Sequence, residues 1–328
     1  MSVLEIRDLA LSFKASKKKY YQVLDHISFS VEPGTVFGIV GESGCGKSVT
    51  ALSIMRLLSR YDSRIDSGEI LFQGEDILKM KPRALRKLRG SRISMIFQDP
   101  ISSLNPVFTI GNQLVEVIML HQNINRREAR KVAANMLELV GIVDAEKNLK
   151  KFPHQLSGGM RQRVMIAIAL ACQPDLIIAD EPTTALDVTI QAQVLDLMLQ
   201  LQQRMGTAII LITHDLGVIA EMAHQVMVMY TGNIMEQAPT AELLQNPCHP
   251  YTQGLIKSIP GLDHTEKYLY NIPGTVPAAG HFPQGCCFHP RCPYCMDICR
   301  TQKPPAKTIG QDGSHIVYCW LDHKGGQS

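Results

Sequence analysis

Short apolar runs alternate with helical patterns along the first part of the chain. Fully apolar strands separated by helices are typical of a largely parallel sheet covered on both faces, so the pattern predicts an α/β fold. The predicted buried strands are Thr35 to Val40, Ile93 to Phe97, Leu176 to Asp180 and Ala208 to Thr213. Between the second and third of these, apolar positions at helical spacing from Gly111 to Val140 predict an inserted helical subdomain at about residues 100–170.

The pattern changes after about residue 240, where prolines interrupt the chain and periodicity becomes weak. We therefore predict an α/β domain at residues 1–240 and a loop-rich extension at residues 241–328. Six of the nine cysteines lie within this extension between Cys286 and Cys319. Because a loop-rich segment buries few apolar groups of its own, a metal held by these cysteines would stabilise it.

Composition narrows the classes of function. The chain has 328 residues, 45% of them hydrophobic, and a net charge of +3, which is too small to favour a nucleic-acid partner. No run of about 18 apolar residues predicts a membrane span, and the N-terminus lacks the pattern of a signal peptide. We therefore expect a cytoplasmic protein, in which clustered cysteines indicate metal binding more than disulfides.

The residues after the first predicted strand have the pattern of a phosphate-binding loop. All fixed positions of that pattern are filled by Gly41-Glu42-Ser43-Gly44-Cys45-Gly46-Lys47-Ser48, with Val49 following in the predicted helix. The glycines let backbone N–H groups surround a polyphosphate, Lys47 can reach the β- and γ-phosphates, and the Ser48 hydroxyl can ligate Mg²⁺. A helix beginning near Lys47 adds its positive end. The sequence therefore predicts a nucleoside triphosphate site.

Two more segments carry chemistry. The apolar strand that starts at Leu176 ends in Asp180, which can hold Mg²⁺, and Glu181, which can act as a general base on an attacking water. The residues Ser157-Gly158-Gly159 precede a helical run from Arg161 to Ala171, and their backbone N–H groups can bind an anion. An ordinary N-cap at Ser157 is the alternative for this second segment.

In order and spacing, these motifs resemble the ATP-binding subunits of ABC transporters, and the resemblance covers the first 240 residues. By this resemblance Gln98 occupies the Q-loop position, Ser157-Gly158-Gly159 the signature, Asp180 and Glu181 the end of Walker B, Ala185-Leu186-Asp187 the D-loop, and His214 the switch histidine. Tyr21 lies where the family stacks an aromatic ring on adenine. One position departs from the family, because Met160 replaces the usual glutamine of the signature.

The resemblance implies a P-loop ATPase core with an antiparallel N-terminal sheet. It also implies a dimer in which the signature of one subunit closes over the ATP held by the phosphate loop of the other. The implied catalytic residues are Glu181 as base, His214 at the γ-phosphate and Gln98, which senses magnesium. The implied Mg²⁺ ligands are Ser48, Gln98 and Asp180, and the implied nucleotide contacts are Tyr21, residues 41–49, Ser157, Gly158, Gly159 and Asp187.

Within that family, the chain most resembles the D-type subunits of bacterial dipeptide and oligopeptide importers. The segments that carry this similarity are Ile96 to Pro100, Ser103 to Pro106, Arg161 to Ala167, Ala179 to Gln193 and His249-Pro250-Tyr251-Thr252. The resemblance implies a second, homologous ATPase subunit, two transmembrane permease subunits and an external substrate-binding protein. It implies a peripheral position on the cytoplasmic face of the inner membrane. Nickel or antimicrobial-peptide transport, and a soluble ABC ATPase outside transport, are the alternatives.

The cysteines Cys286, Cys292, Cys299 and Cys319 have spacings similar to the C-terminal cysteine motif of these subunits. The first two spacers, of five and six residues, are longer than zinc sites favour, which indicates a four-iron four-sulfur cluster. Zinc stays open because Cys292 and Cys295 form a close pair, and a tail without metal is the third alternative. Cys287 and Cys295 have no assigned role.

Overall fold

The structure is a computed structural model, which describes residues 2–16, 19–99, 103–184, 186–259, 270–310 and 313–321. Its strands are β1 (Leu4–Ser16), β2 (Lys19–Val31), β3 (Val36–Val40), β4 (Ser63–Phe72), β5 (Glu75–Asp76), β6 (Ile93–Ile96), β7 (Leu176–Asp180), β8 (Ala208–Thr213), β9 (Gln225–Tyr230), β10 (Asn233–Pro239), β11 (Ala306–Ile309) and β12 (His315–Tyr318). The α-helices of the described residues are α1 (Lys47–Ile54), α2 (Pro82–Leu88), α3 (Ile110–His121), α4 (Arg126–Leu139), α5 (Ala145–Asn148), α6 (Gly158–Leu170), α7 (Val188–Met205), α8 (Leu216–Met222), α9 (Thr240–Gln245), α10 (Pro250–Lys257) and α11 (Asp297–Thr301). Short 3₁₀ helices lie at Ile77–Lys79, Pro153–Gln155 and His289–Arg291.

The chain forms two units, each assembled from separate stretches of sequence. Unit 1 comprises Met1–Val3, Val31–Thr35 and Lys79–Leu211. Unit 2 comprises Leu4–Ser30, Val36–Leu78 and Ile212–Ser328. The domain boundary near residue 240 stays a prediction. No helix in the described ranges is both long and apolar enough to span a lipid bilayer.

Unit 2 contains two β-sheets. The first has the strand order β2-β1-β4-β5, and its pairs β1–β4 and β4–β5 are antiparallel, as the resemblance implied for an N-terminal sheet. In the second, the strands of this unit have the order β11-β12-β10-β9-β3. Here β3 and β9 are parallel, whereas β10 pairs antiparallel with both β9 and β12, and β11 pairs antiparallel with β12. The α/β class is confirmed, with a sheet that is mixed in this unit.

The antiparallel part begins at a tight hairpin between β9 and β10. Only Thr231 and Gly232 separate the two strands, and both have positive φ, 45° and 78°. Positive φ at both central residues defines the two-residue hairpin turn whose twist matches the flanking strands. A side chain at residue 232 would also place its Cβ 2.0 Å from the carbonyl oxygen of Val23. The short turn therefore forces an antiparallel pair, which the apolar pattern alone does not predict.

Unit 1 combines strands with most of the helices. Its strands have the order β8-β7-β6, and β6 and β7 are parallel. The segment with helical spacing contains two helices, α3 and α4, because Asn125 starts a new one. The Asn125 side chain accepts from the N–H groups of Arg127 and Glu128, and the Glu128 carboxylate accepts from the N–H of Asn125. This capping box satisfies N–H groups that have no partner inside the helix.

The predicted strands agree closely with the observed ones. The third and fourth predicted strands coincide with β7 and β8. The observed β3 starts one residue later than the first predicted strand, and the observed β6 ends one residue earlier than the second. Thr35 lies outside β3 because it belongs to a turn, in which its hydroxyl donates to the carbonyl oxygen of Glu32 over 2.8 Å. Phe97 lies outside β6 and is 41% exposed. Both differences occur at strand ends, where the backbone turns away from the ladder.

The C-terminal extension is more regular than its sequence suggests. It contains α9, α10 and α11, and its last two strands form the hairpin β11–β12 that joins the second sheet beside β10. Each of these strands has four residues, which is too short for a reliable pattern of alternation. The extension is therefore paired with the sheet of unit 2 through its backbone.

A buried ion pair connects β12 to β10. His315 Nε2 lies 2.7 Å from Glu236 Oε1, and the two side chains are 3% and 0% exposed. The Glu236 carboxylate also accepts from the N–H groups of Cys248 and His249, at 2.7 and 3.0 Å. The ligating atoms of Glu236, Cys248 and His315 lie within 4.8 Å of one another, close enough for a metal. Because Glu236 already accepts three N–H donors, we interpret the group as an ion-pair network.

Replacing His315 with leucine should lower the free energy of unfolding by about 3 kcal/mol near pH 6, because the buried Glu236 carboxylate would lose its positively charged partner. Hydrogen bonds with Cys248 and Glu236 raise the pKa of His315 from 6.5 to about 10. A raised pKa stabilises the folded state fully below pH 6.5 and loses that effect as the pH rises through 10. Denaturant titrations of both proteins should therefore show a difference that shrinks between pH 6.5 and 10. A difference independent of pH would contradict the ion pair.

Candidate functional site

The phosphate-binding loop lies in unit 2 between β3, which is buried along its whole length, and α1. At Gly41 a Cβ would lie 2.2 Å from the carbonyl oxygen of Met229, so only glycine allows this close approach. Gly46 is the N-cap residue of α1 and has a φ of 105°. No side chain among the described residues caps this helix end. The loop therefore presents first-turn N–H groups, the kind that bind phosphate.

Lys47 lies beneath the loop and is only 6% exposed. Its Nζ donates to the carbonyl oxygens of Gly41, at 2.7 Å, and Glu42, at 3.1 Å. Its Nζ also lies 3.7 Å from the Cys45 sulfur. Burial raises the pKa of the Cys45 thiol. The backbone of the phosphate-binding loop thus fixes the position of the Lys47 ammonium group.

The other loop residues differ in exposure. Ser43 and Gly44 are exposed at the tip, whereas Ser48 and Val49 are half-buried in the first turn of α1. The predicted adenine-stacking residue, Tyr21, lies in β2 and is also half-buried. Its ring centroid lies 6.3 Å from that of Phe13.

Two residues that the sequence reasoning missed as site residues contact the loop in unit 2. The Glu42 N–H donates to the Tyr251 hydroxyl over 2.9 Å. The Glu42 carboxylate accepts from both terminal nitrogens of Arg291, at 2.6 and 3.1 Å. Tyr251 belongs to a motif that the sequence marked only by resemblance, and Arg291 had no signal of its own. Both belong to the C-terminal extension.

In unit 1, β7 ends at the two predicted carboxylates. Asp180 is buried, and Glu181 follows it with a φ of 46°, an uncommon conformation for a residue with a side chain. Glu181 Oε2 accepts from Gln98 Nε2 over 2.8 Å and from the Thr184 hydroxyl over 2.9 Å. The structure therefore brings together the predicted Q-loop residue and the predicted base. Strained backbone at such a position is common where a side chain must be aimed at a ligand.

A third residue supports this turn from α6. Gln162 is 1% exposed and its Nε2 donates to the carbonyl oxygen of Pro182. Proline offers no N–H, so the carbonyl is the only backbone group of Pro182 that can be satisfied. Gln162 thus links the signature helix to the residue after Glu181. The sequence reasoning noted Gln162 only as part of a similar segment.

The signature residues begin α6 in unit 1. Ser157 is the N-cap, and its hydroxyl accepts from the N–H of Met160 over 3.3 Å. Ser157 and Gly158 are exposed. A Cβ on Gly159 would lie 2.8 Å from Ile190 Cγ2, so a larger residue would displace α7. The ordinary N-cap is therefore present, and its helix end is also accessible to an anion.

The remaining predicted residues also lie at helix ends. Asp187 is the N-cap of α7 and accepts from the N–H of Ile190 over 3.0 Å, while Ala185 lies outside the described residues. In unit 2, the exposed His214 follows β8 directly, and Asp215 caps α8. A groove beside this histidine is lined also by Leu255 and residues 258–259 of the extension.

The predicted cysteine ligands converge in the extension. Burial, together with the neighbouring thiols of Cys287, Cys299 and Cys319, raises the pKa of the Cys286 thiol to about 12. Burial, together with the thiols of Cys319, Cys299 and Cys295, raises the pKa of Cys292 to about 11. The Cys286 N–H donates to the carbonyl oxygen of Cys299 over 2.8 Å. The thiols of Cys286 and Cys292 therefore both lie within electrostatic reach of Cys299 and Cys319.

Of the two unassigned cysteines, Cys287 is turned elsewhere. Its sulfur lies 3.7 Å from the carbonyl oxygen of Tyr230 and 3.9 Å from the sulfur of Met235, inside the unit. Cys295 is half-buried, with its sulfur 3.6 Å from the carbonyl oxygen of Met296.

Comparison with known proteins agrees with this geometry. A family model described as ABC transporter matches residues 24–184, and one described as oligopeptide/dipeptide transporter, C-terminal region, matches residues 235–299. The dimeric ATP-binding cassette MJ0796, solved in a post-hydrolysis state bound to ADP and Pi, superposes with a TM-score of 0.64 at 25% identity, covering 72% of this chain and 98% of that one. The chain belongs to the ABC transporter family of ATP-binding subunits.

Within that family, the chain is similar over nearly its whole length to subunits of peptide transporters. It is 49% identical to the probable peptide ABC transporter ATP-binding protein y4tR of Sinorhizobium fredii, over 98% of this chain and 96% of that protein. It is 48% identical to the dipeptide transport ATP-binding protein DppD of Bacillus subtilis, over 97% of this chain and 94% of that protein. It is 44% identical to DppD of Escherichia coli, over 99% of both chains.

Replacing Gln162 with leucine should lower the ATPase rate of a protein that stays folded. The variant keeps the buried volume but leaves the Pro182 carbonyl unpaired, which costs about 1–3 kcal/mol, and it frees the turn that aims Glu181. Steady-state hydrolysis and thermal unfolding of the same preparation measure the two effects. Gln193→Leu, on the exposed side of the same unit, is the matched control. An unchanged rate in the folded Gln162 variant would contradict the supporting role.

Proposed function

We propose that this chain is the ATP-hydrolysing subunit of an importer for dipeptides and oligopeptides. The observation that carries the proposal is the phosphate loop, in which Lys47 is fixed under a helix N-terminus at the end of a buried strand. The peptide-transport names of relatives that match the whole chain support the substrate class. In this proposal ATP hydrolysis drives conformational change in membrane partners, and the chain itself does not contact the peptide.

The proposed chemistry assigns a role to each group of residues. Residues 41–49 hold the triphosphate, with Lys47 neutralising its β- and γ-phosphates and Ser48, Gln98 and Asp180 holding Mg²⁺. Glu181 accepts a proton from the attacking water. Gln98 and Thr184 both donate to Glu181 Oε2, and in this proposal these two bonds orient the carboxylate for that step. His214 contacts the γ-phosphate and Tyr21 stacks on adenine.

The proposed assembly needs a second ATPase subunit. Ser157 and Gly158 are exposed at the start of α6, so this helix end is available to the nucleotide of a partner subunit. Asp187 would lie near that same nucleotide. The dimeric state of a similar cassette supports such pairing. Two permease subunits and an external substrate-binding protein complete the proposed importer, on the cytoplasmic face of the inner membrane. Nickel and antimicrobial peptides stay the alternative cargoes.

Uptake by whole cells tests this function. Replacing Glu181 with glutamine should abolish uptake of a labelled dipeptide and a labelled longer peptide, because the variant binds ATP but lacks the base. Hydrolysis should fall by about 10²–10⁴-fold, the usual contribution of a general base. Lys47→Ala should also abolish uptake, by loss of ATP binding. Loss of nickel uptake with peptide uptake intact would overturn the substrate, and normal uptake of all three would overturn the transport function.

We also propose that the cysteine group holds a four-iron four-sulfur cluster through Cys286, Cys292, Cys299 and Cys319. Within the described residues, which include all four, no three of these sulfurs lie within 4.8 Å of one another. Thiolates around a tetrahedral zinc ion lie about 3.8 Å apart, from Zn–S bonds of about 2.3 Å, and the spacers of five and six residues along the chain also favour the larger cluster. Such a cluster would cross-link the proline-rich segment and can carry an electron.

Metal analysis decides between cluster and zinc. After anaerobic purification we expect about four iron and four acid-labile sulfide atoms per chain, as the cluster type requires. Cys292→Ser should lose both, whereas Cys295→Ser, the matched control three residues away, should keep them. Stoichiometric zinc without iron, or equal loss in the two variants, would contradict the assignment.

A further inference from the structure

The segment His249-Pro250-Tyr251 has a geometry that aims one hydroxyl at the phosphate loop. His249 is the N-cap of α10, and its Nδ1 accepts from the Tyr251 N–H over 3.0 Å. Pro250 occupies the first helical position, where its missing N–H costs nothing. Tyr251 is therefore held in the first turn of the helix, fully buried, with its hydroxyl 2.9 Å from the Glu42 nitrogen.

Arg291 makes the second contact with Glu42. The guanidinium makes two parallel hydrogen bonds to the carboxylate, at 2.6 and 3.1 Å, and its side chain is 4% exposed. Its remaining N–H groups donate to the carbonyl oxygens of Pro273 and Ile272, at 3.0 and 3.3 Å, and to the Tyr230 hydroxyl at 3.4 Å. Two parallel bonds fix the carboxylate in orientation as well as position, which a lysine could not do.

An aromatic cluster holds both contacts in place. The ring centroids of Tyr230, Tyr251 and Phe288 lie 4.8 to 5.3 Å apart in each pairing. The Arg291 guanidinium lies 5.7 Å from the centroid of Tyr230. These distances are typical of favourable ring–ring and cation–ring contacts. Neither side chain can leave Glu42 without disrupting the cluster.

Glu42 transmits this restraint to Lys47. Its N–H is bound by Tyr251 and its carboxylate by Arg291, while its carbonyl oxygen accepts from Lys47 Nζ over 3.1 Å. We propose that the C-terminal extension positions Lys47 for the β- and γ-phosphates through Glu42, with Arg291 and Tyr251 as positioning residues for ATP binding. This inference rests on the proposed function, since it assigns Lys47 to the triphosphate.

The charge of Arg291 adds an electrostatic effect in the same direction. Without it, Glu42 would present an unpaired carboxylate inside a loop that must accept a highly charged anion. Repulsion would then grow with the number of phosphates on the nucleotide. Losing Arg291 should therefore weaken binding of ATP most and binding of a monophosphate least, both through the position of Lys47 and through the charge of Glu42.

Nucleotide titrations of the purified full-length protein test the proposal. In competition assays, Arg291→Met should weaken binding of a non-hydrolysable ATP analogue about tenfold, weaken ADP binding less, and weaken AMP binding least. Arg300→Met is the matched control, because it removes an exposed arginine from the same extension. Adding Glu42→Gln to Arg291→Met should cause no further loss of ATP affinity. The two substitutions break the same ion pair, and Glu42→Gln also removes the carboxylate charge that repels the nucleotide.

Wild-type affinity in the folded Arg291 variant, or an equal loss for AMP, would overturn the positioning role. An equal loss in Arg300→Met would do the same. If Arg291→Met lowers the thermal midpoint enough to unfold the protein, Tyr251→Phe provides the test, because it removes only the hydroxyl and should lower ATP affinity without affecting AMP. A wild-type protein that binds ATP no better than Lys47→Ala would contradict the proposed function instead.

Discussion

The path of the backbone from β3 into α1 requires residues without a Cβ, and the nucleotide-binding apparatus of unit 2 depends on that turn. Gly41 passes so close to the Met229 carbonyl that any side chain would collide with it, and Gly46 adopts a φ that other residues rarely reach. With this path, the N-terminus of α1 lies at the end of a buried strand and Lys47 folds back beneath the loop. The rest of the unit stabilises these few residues.

Paired charges connect the C-terminal extension to the rest of unit 2, in addition to its buried aromatic rings and its backbone pairing. Glu236 and His315 join β10 to β12, and Glu42 and Arg291 join the phosphate loop to the segment before Cys292. Buried charges are tolerated only when paired and hydrogen-bonded, and each of these carboxylates has additional or bidentate donors. The extension is thereby integrated with unit 2, although its sequence is rich in proline and poor in periodicity.

Several predicted functional residues also serve as local structural groups. Ser157 and Asp187 cap the helices that follow them, and Asp215 does so next to His214. An N-cap satisfies one N–H group with its side chain and leaves others at the same helix end. The structural and the functional interpretations of Ser157 are therefore compatible, since the capped helix end stays exposed to an anion.

The sequence by itself determined the buried strands, the phosphate loop and the carboxylates at the end of β7. Each of these depends on local chemistry: apolar runs, glycines at fixed spacing, and acids directly after a strand. Only the tertiary structure decided the antiparallel strands of the extension, the Gln162 contact with Pro182 and the contacts of Tyr251 and Arg291 with Glu42. Arg291 is 249 residues from Glu42 along the chain, and no local pattern marks such a pair, because its partners become neighbours only when the sheet of unit 2 has formed.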